Sequence, residues 1–388
     1  MGSVQAAGSV RARYLVYFQY VGTDFNGVAA VRGTQRAIGV QNYLEEAAER
    51  LNSVVPVRFT ISSRTDAGVH ALSNAAHLDV QRRSGRPPFP PEVLAEALNT
   101  HLRHPAIRVL RAFRVPSDFH ARHAATSRTY LYRLVTGCHR LAELPVFERN
   151  LCWTLQADCL DVAAMQEAAQ HLLGTHDFSA FQSAGSPVPS PVRTLRRVSV
   201  SPGQASPLVT PEESRKLRFW SLEFESQSFL YRQVRRMTAV LVAVGLGALA
   251  PAQVKTILES QDPLGKHQAR VAPAHGLFLK SVLYGSLGKR SGPGSSCYVP
   301  SDCCGHGVEW GGQGPLTAAR QLGVKEPPPP RVTVLQPSPS WADPLPGHGS
   351  GPSGGEGGLT LPQADAGSGL STGAASCTLQ GPQFGSHK

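Results

Sequence analysis

Cysteine is scarce in this sequence, with seven residues among 388 and no Cys-x-x-Cys pair. The spacing therefore argues against a zinc site, and the odd count argues against a disulfide-rich secreted domain. Cys297, Cys303, Cys304 and His306 lie close together, but in low-complexity sequence without ligand spacing. We predict reduced thiols in an intracellular protein and no bound metal.

Long apolar runs are also missing. The longest, residues 237–252, has sixteen residues, whereas a membrane-spanning helix needs roughly 20. It predicts a buried helix and no membrane partner. The N-terminus contains Arg11 and Arg13 and no acid before Asp24. This pattern is compatible with a mitochondrial presequence, which is the localisation we predict, and the alternative is the flexible start of a cytoplasmic or nuclear protein.

Lysine is rare where arginine is abundant. Residues 1–288 hold 28 Arg and 4 Lys against 21 Asp and Glu, whereas residues 289–388 hold six charges of each sign. The whole basic excess therefore belongs to the first part of the chain. Arginine suits bidentate phosphate contacts and stacking on bases. The charge predicts an acidic partner such as nucleic acid, with a solvated basic surface as the alternative.

Composition and periodicity divide the chain into four parts. Residues 289–388 include 20 Gly and 14 Pro, a content that predicts a disordered tail because little apolar area is available for burial. Residues 1–12 are predicted to be a flexible start. The ranges 13–125 and 126–288 each combine strands with helices, so we predict two similar halves around a central cleft.

The fold class that these patterns favour is α+β, similar to an α/β sandwich, with antiparallel or mixed sheets flanked by helices. One helix face is predicted by Val40, Leu44, Ala47 and Leu51, which recur at helical spacing. Strands are predicted by alternation or apolar runs, and a long helix by residues 229–250. The predicted strands include 13–21, 57–61, 192–200 and 217–224.

The densest chemical motif is Arg-Thr-Asp-Ala-Gly-Val-His-Ala at residues 64–71. It lies between two strand-like segments, and Gly68 permits a tight backbone path beside the carboxylate of Asp66. A carboxylate in a loop is suited to attack at a sugar carbon or to stabilising a positive centre there. The alternative is an ordinary turn with a surface Arg–Asp pair.

This motif resembles the signature of the TruA-type tRNA pseudouridine synthases. Further segments resemble that family in the family's order, and the resemblance covers about residues 13–286. After Gly27 the family usually has Trp-Gln, where this chain has Val28 and Ala29. The matching segments are 20–25, 118–122, 125–130, 174–181, 229–235 and 276–279.

The resemblance implies a role for each site residue. Asp66 is the catalytic nucleophile, although the alternative that it takes the ribose 2′ proton stays open. Tyr130 stacks on the flipped uracil, Arg235 pairs with Asp66 and keeps it ionised, and Arg64 fills the gap that the base leaves. A base must leave its stack before it can be detached and rotated, so base flipping into the cleft is expected.

The same resemblance implies the partners. The expected substrate is tRNA, with the uridine in the anticodon stem-loop, and other RNA is a further candidate. The isomerisation is redox-neutral, so we expect no cofactor. Bacterial members are dimers, which allows a homodimer here. The rival functions are an inactive RNA-binding module of the same fold and a nucleoside hydrolase.

Several residues keep a simpler interpretation. Tyr130 and Tyr132 alternate on one strand, so one of them is expected in the core. Arg122 and Arg128 are interpreted as phosphate contacts. The arginines of residues 232–236 could form a solvated helix face. His70, His120 and His123 would indicate a metal only if they converge.

Overall fold

The structure is a computed structural model, which describes residues 10–31, 33, 38–83, 86–185, 189–262 and 271–285. The described residues form one compact unit. The predicted tail, 289–388, lies outside the described residues, as does most of the predicted flexible start.

A ten-stranded sheet forms the centre of the described chain. Its main path follows the order β4-β1-β3-β10-β5-β9-β8-β7, and two short strands pair beside it. The pairs along this path are antiparallel except β3 with β10, which run parallel. The strands are β1 Arg11–Tyr20, β2 Thr60–Ile61, β3 His70–Gln81, β4 Ile107–Val115, β5 Ala125–Thr136, β6 Trp153–Thr154, β7 Gly174–Asp177, β8 Val192–Pro202, β9 Arg218–Ser226 and β10 Leu277–Tyr284.

Helices pack in two groups, which confirms the α+β class. The helices are α1 Val40–Glu49, α2 Pro91–His101, α3 Val162–Gln170, α4 Pro211–Lys216, α5 Gln233–Gly245 and α6 Pro251–Ser260. In the first group α1 packs on α2, and in the second α3 packs on α5 and α6. No helix in the described ranges is both long and apolar enough to cross a bilayer.

Strand β10 joins two groups of strands, β4-β1-β3 on one side and β5-β9-β8-β7 on the other. It lies between β3 of the first group and β5 of the second, with Phe278 opposite His70 and Leu279 opposite Tyr130. The last strand in the described chain therefore stands at the middle of the sheet. This placement brings the segment just before β10 close to the loop just before β3.

The predicted face of α1 is confirmed, because Val40, Leu44, Ala47 and Leu51 are all buried. The strand predicted at 57–61 is shorter than expected, since only Thr60–Ile61 pairs with β3. Val57, Phe59 and Ile61 are buried as their alternation indicates. The backbone of Phe59 is instead hydrogen-bonded to side chains of α1: its N–H donates to Glu45 and its carbonyl accepts from Gln41.

The long helix predicted at 229–250 is wrong in two respects. It begins only at Gln233, because Arg232 adopts a left-handed backbone with φ 58°. It also ends at Gly245, and a second helix begins at Pro251. Gly247 has φ 71° in the turn between them, and Pro251 has no N–H with which to continue a helix.

Candidate active site

The loop that carries Asp66 lies against the backbone of residues 25–28. The Val28 N–H donates to the carbonyl of Thr65 at 3.2 Å, and the Gly68 N–H donates to the carbonyl of Phe25 at 3.4 Å. Gly27 has φ 91°, and a Cβ placed there would lie 2.6 Å from the Thr65 carbonyl oxygen. The close approach of the two backbones therefore requires glycine at this position.

Buried hydroxyl and amide groups of β1 and β3 hold the same loop. The hydroxyls of Tyr20 and Thr65 are hydrogen-bonded at 2.7 Å. The Asn74 amide donates to the Tyr20 hydroxyl at 3.3 Å and to the Ser63 carbonyl at 2.9 Å. Burial raises the pKa of Tyr20 to about 12, so its hydroxyl stays neutral at physiological pH. The residue before Asp66 is thus fixed through its side chain.

Arg128 of β5 holds the start of the loop and is not a phosphate contact, so that prediction is wrong. The side chain is buried. Its Nε donates to Ser63 Oγ at 2.8 Å, and Nη2 donates to the Ser62 carbonyl at 3.1 Å and the Arg122 carbonyl at 2.9 Å. Nη1 donates to the carbonyl of Gln227. All three guanidinium nitrogens donate hydrogen bonds, and they join β5 to the segment that leads into the Asp66 loop.

The carboxylate of Asp66 binds arginines from the N-terminal end of α5. Arg235 Nη1 lies 3.2 Å from Oδ2 of Asp66. Arg235 is itself fixed at Ala272: its Nε donates to the Ala272 carbonyl at 2.7 Å, and the Ala272 N–H donates to the Arg235 carbonyl at 3.1 Å. Within the described residues, Oδ1 of Asp66 has no hydrogen-bond partner.

Tyr130 and Tyr132 take different positions on β5. Tyr132 is the core residue, fully buried with its hydroxyl donating to the Pro273 carbonyl at 2.7 Å. The Tyr130 ring packs edge-on against Phe229, with 5.2 Å between ring centroids. Burial, the proximity of Tyr20 and the charge of Asp66 raise the pKa of Tyr130. Its hydroxyl makes no hydrogen bond to any described residue.

Arg64 lies on the same loop, two residues before Asp66, and its side chain is exposed. It forms no ion pair with a described residue. The structure therefore brings Asp66 and Arg235 into contact, places Tyr130 near enough for the charge of Asp66 to raise its pKa, and leaves Arg64 exposed.

The histidines named in the sequence do not converge. His70 accepts from the Gly22 N–H at 2.9 Å, and its ring stacks on Phe278 at 4.6 Å. His120 instead contacts His123 and His77, and His77 lies about 20 Å along β3 from His70 at the usual rise per residue. Among the described residues there is no cluster of His, Cys, Asp and Glu that could hold a metal.

Sequence patterns alone did not indicate that Ala272 fixes Arg235 or that Tyr20 and Asn74 support the loop. A solvated helix face was one interpretation of Arg232, and its Nε lies 3.9 Å from Oδ2 of Asp66. These contacts join residues that are far apart in the chain. Of the supporting residues, Arg128 could have been singled out from the local sequence, because it lies in the family-like segment 125–130 together with Tyr130.

The described residues thus combine a carboxylate with one oxygen free of hydrogen bonds, an arginine fixed beside it and a buried tyrosine. A family model described as tRNA pseudouridine synthase matches residues 16–123 and 168–285. Human tRNA pseudouridine synthase-like 1 is 94% identical over 291 residues, which cover 75% of this chain and 96% of that protein. The mouse protein of the same name is 80% identical over 291 residues, which cover 75% and 100%.

The similarity extends to bacteria. tRNA pseudouridine synthase A of Paramagnetospirillum magneticum is 37% identical over 281 residues, which cover 72% of this chain and 98% of that protein. The chain belongs to the TruA-type tRNA pseudouridine synthase family and is an isomerase of that class.

Proposed function

We propose that this protein converts uridine to pseudouridine in tRNA through the carboxylate of Asp66. The observation that carries the proposal is the state of that carboxylate. Arg235 binds Oδ2 at 3.2 Å and is itself fixed by Ala272. Oδ1 is left without a hydrogen-bond partner among the described residues, and the charge of Asp66 contributes to the raised pKa of the buried Tyr130.

The chemistry assigns a task to each group. The C1′–N1 bond of the nucleotide breaks, the uracil turns, and a C1′–C5 bond forms; C5 loses a proton and N1 gains one. Oδ1 of Asp66 either attacks C1′ or removes the proton from C2′. A nearby cation favours the charged form of a carboxylate, which both routes need. Tyr130 offers a ring on which the uracil stacks and a neutral hydroxyl that can donate to it.

Base flipping follows from how little of the site is accessible. The side chain of Asp66 is 25% exposed, and Tyr130 is buried. A base that remains stacked in a helix cannot reach either group, so the target nucleotide must be extruded into the site. We assign Arg64 to the gap left in the RNA because it is exposed and belongs to the same loop.

The target region in tRNA, other RNA substrates, the oligomeric state and the compartment are further parts of the proposal. We propose the anticodon stem-loop of tRNA as the target region and keep other RNA and a homodimer as candidates. The proposed compartment is the mitochondrion. Arg11 and Arg13, on which that prediction depends, both lie in β1 and bind Asp79 at 2.6 and 2.8 Å, so a removable presequence would have to end before them.

The test is Asp66→Asn, which removes the charge with little change of shape. We expect pseudouridine formation to fall below about one hundredth of the rate with Asp66 intact, because the nucleophile or base is lost, while RNA binding is retained. The measurement is pseudouridine mapping of tRNA after single turnover, together with filter binding. An inactive RNA-binding module would show no pseudouridine with either protein. A hydrolase would release free uracil.

A further inference from the structure

Arg232 and Arg235 both approach Oδ2 of Asp66, but they are held differently. Arg235 Nη1 is at hydrogen-bond distance, 3.2 Å, whereas Arg232 Nε is at 3.9 Å and interacts only through its charge. The Arg235 side chain is 13% exposed and the Arg232 side chain 41%. Two cations therefore share one carboxylate, and the outer one is accessible to solvent.

The rest of the Arg232 side chain is unrestrained by hydrogen bonds. Arg235 donates to the Ala272 carbonyl, and Arg236 donates to Ser183 Oγ at 2.8 Å. The Arg232 side chain makes no hydrogen bond within the described ranges, and its guanidinium lies 4.9 Å from the centre of the Tyr231 ring. Its donors can therefore bind an incoming anion.

The backbone of Arg232 adds a second, independent observation. It is the N-cap of α5 with φ 58°, a conformation that costs a non-glycine residue energy and that occurs often at functional sites. The conformation places the side chain beside the active-site carboxylate at the positive end of the helix. Both the charge and the helix favour a bound anion there.

We propose that Arg232 binds a backbone phosphate of the target nucleotide, next to the sugar on which Asp66 acts. This inference rests on the proposed function. When RNA enters, the guanidinium moves from Asp66 to the phosphate, while Arg235 remains with the carboxylate. The phosphates on the 5′ and 3′ sides of the uridine are the two candidates, because they are the anions bonded to the reacting nucleotide. Arg232 thus strengthens binding of the target nucleotide, in the ground state and the transition state alike.

The first experiment measures the salt dependence of tRNA affinity for Arg232→Gln and Arg232→Lys by filter binding. Loss of one phosphate contact should reduce the slope of log Kd against log salt by about 0.7 to 1. Arg232→Lys keeps the charge and should keep the slope. Thermal unfolding monitors the fold of each variant. An unchanged slope for a folded Arg232→Gln protein would overturn the proposal.

The second experiment locates the phosphate. Once the modified uridine is mapped, an anticodon-arm RNA receives one neutral methylphosphonate on the 5′ or the 3′ side of that uridine. Affinities are measured in the Asp66→Asn background, in which the uridine stays unmodified. One of the two neutral linkages should weaken binding by about tenfold or more with Arg232 present. The same linkage should have almost no effect in Arg232→Gln. If the loss of affinity from the neutral linkage and the loss from Arg232→Gln simply add, for the 5′ linkage and for the 3′ linkage alike, the contact is refuted.

Arg218→Gln is the matched control, since Arg218 is exposed at the far end of β9, about 20 Å along the strand from Phe224 beside Tyr130. It should stay fully sensitive to the neutral linkage.

The single-turnover rate at saturating enzyme separates the roles of Arg232 and Arg235: Arg235→Gln should lower that rate strongly and Arg232→Gln by less than about threefold. If Arg232→Gln lowers that rate like Arg235→Gln and keeps the salt slope, Arg232 serves Asp66 alone. Absence of pseudouridine with the unaltered protein would instead refute the proposed function, and the salt slope would still decide the role of Arg232.

Discussion

Two tyrosines on one strand show how position decides a side chain's task. Tyr130 and Tyr132 point to the same face of β5, yet among the described residues only the Tyr132 hydroxyl has a partner, the Pro273 carbonyl at 2.7 Å. A carbon placed on Gly276 would lie 2.7 Å from the Tyr132 ring, so this ring is packed directly on the backbone before β10. Tyr132 therefore supports the segment that also supplies Ala272 to Arg235.

The two hydroxyls give a matched pair of substitutions. Tyr132→Phe should lower the free energy of unfolding by about 1 kcal/mol, because the Pro273 carbonyl loses its donor, and should leave most of the activity. Tyr130→Phe should leave stability almost unchanged and lower the single-turnover rate by about tenfold or more, because it removes the hydroxyl that is proposed to donate to the uracil. Urea unfolding and single-turnover assays of both proteins check this. The opposite pattern would exchange the two assignments.

At the scale of elements, the loop that carries Asp66 depends on the close approach of residues 25–28. Gly27→Ala should lose stability by about 1–2 kcal/mol from the left-handed backbone alone, and more from the clash with the Thr65 carbonyl. It should also displace Asp66 and lower the single-turnover rate, since small displacements at reacting groups are costly.

Gly247→Ala is the control for backbone strain without a clash. Gly247 has φ 71°, and nothing lies within 4 Å of a carbon placed there. It should lose a similar amount of stability and keep its activity. Equal activities for the two alanine variants would show that the loop tolerates the displacement.

The same scale shows what could be predicted from sequence. The face of α1 and the approximate positions of the long strands followed from periodicity, because burial of one face leaves a regular pattern. The ends did not follow. Phe59 left the strand ladder because Gln41 and Glu45 from α1 bind its backbone, and apolar residues through 229–250 concealed the turn at Gly247. Hydrogen bonds between distant segments decide such boundaries.

The site was predictable through the family motif and otherwise only in part. Asp66 and Arg235 are 169 positions apart in the chain, so no local spacing indicates their contact. The contacts of Arg128 with Ser62 and Ser63, and of Arg232 with Asp66, likewise join segments that are distant in the chain.

For the whole molecule, the free energy of unfolding should begin to fall at a pH well above the pKa of most carboxylates. His77 Nδ1 accepts from the Ala121 N–H at 3.0 Å. Burial, Arg13 and His120 lower the pKa of His77 to about 4, and the nearby charge of Asp79 only partly opposes them. Between about pH 6.5, the usual value for an unfolded histidine, and about pH 4, the unfolded chain binds a proton that the folded chain does not. Stability contributed by neutral His77 is therefore full above pH 6.5 and is lost as the pH falls.

Burial lowers the pKa of His70 and His275 in the same direction. Urea unfolding from pH 8 to pH 4.5 should show a flat region above about pH 7 and a decline below it. His77→Asn should be less stable at pH 8 and show a shallower decline. A decline as steep as that of the unaltered protein would assign the acid sensitivity to other groups.

The chain after residue 288 should be dispensable for fold and chemistry. The family match ends at residue 285 and β10 ends at Tyr284, while residues 289–388 carry six charges of each sign. A neutral segment contributes little to phosphate binding. Deleting 289–388 should therefore leave the unfolding midpoint, the salt slope of tRNA affinity and the single-turnover rate nearly unchanged. Loss of the cooperative unfolding transition would show that the segment packs on the sheet and helices, and a smaller salt slope with normal stability would show that it contacts RNA.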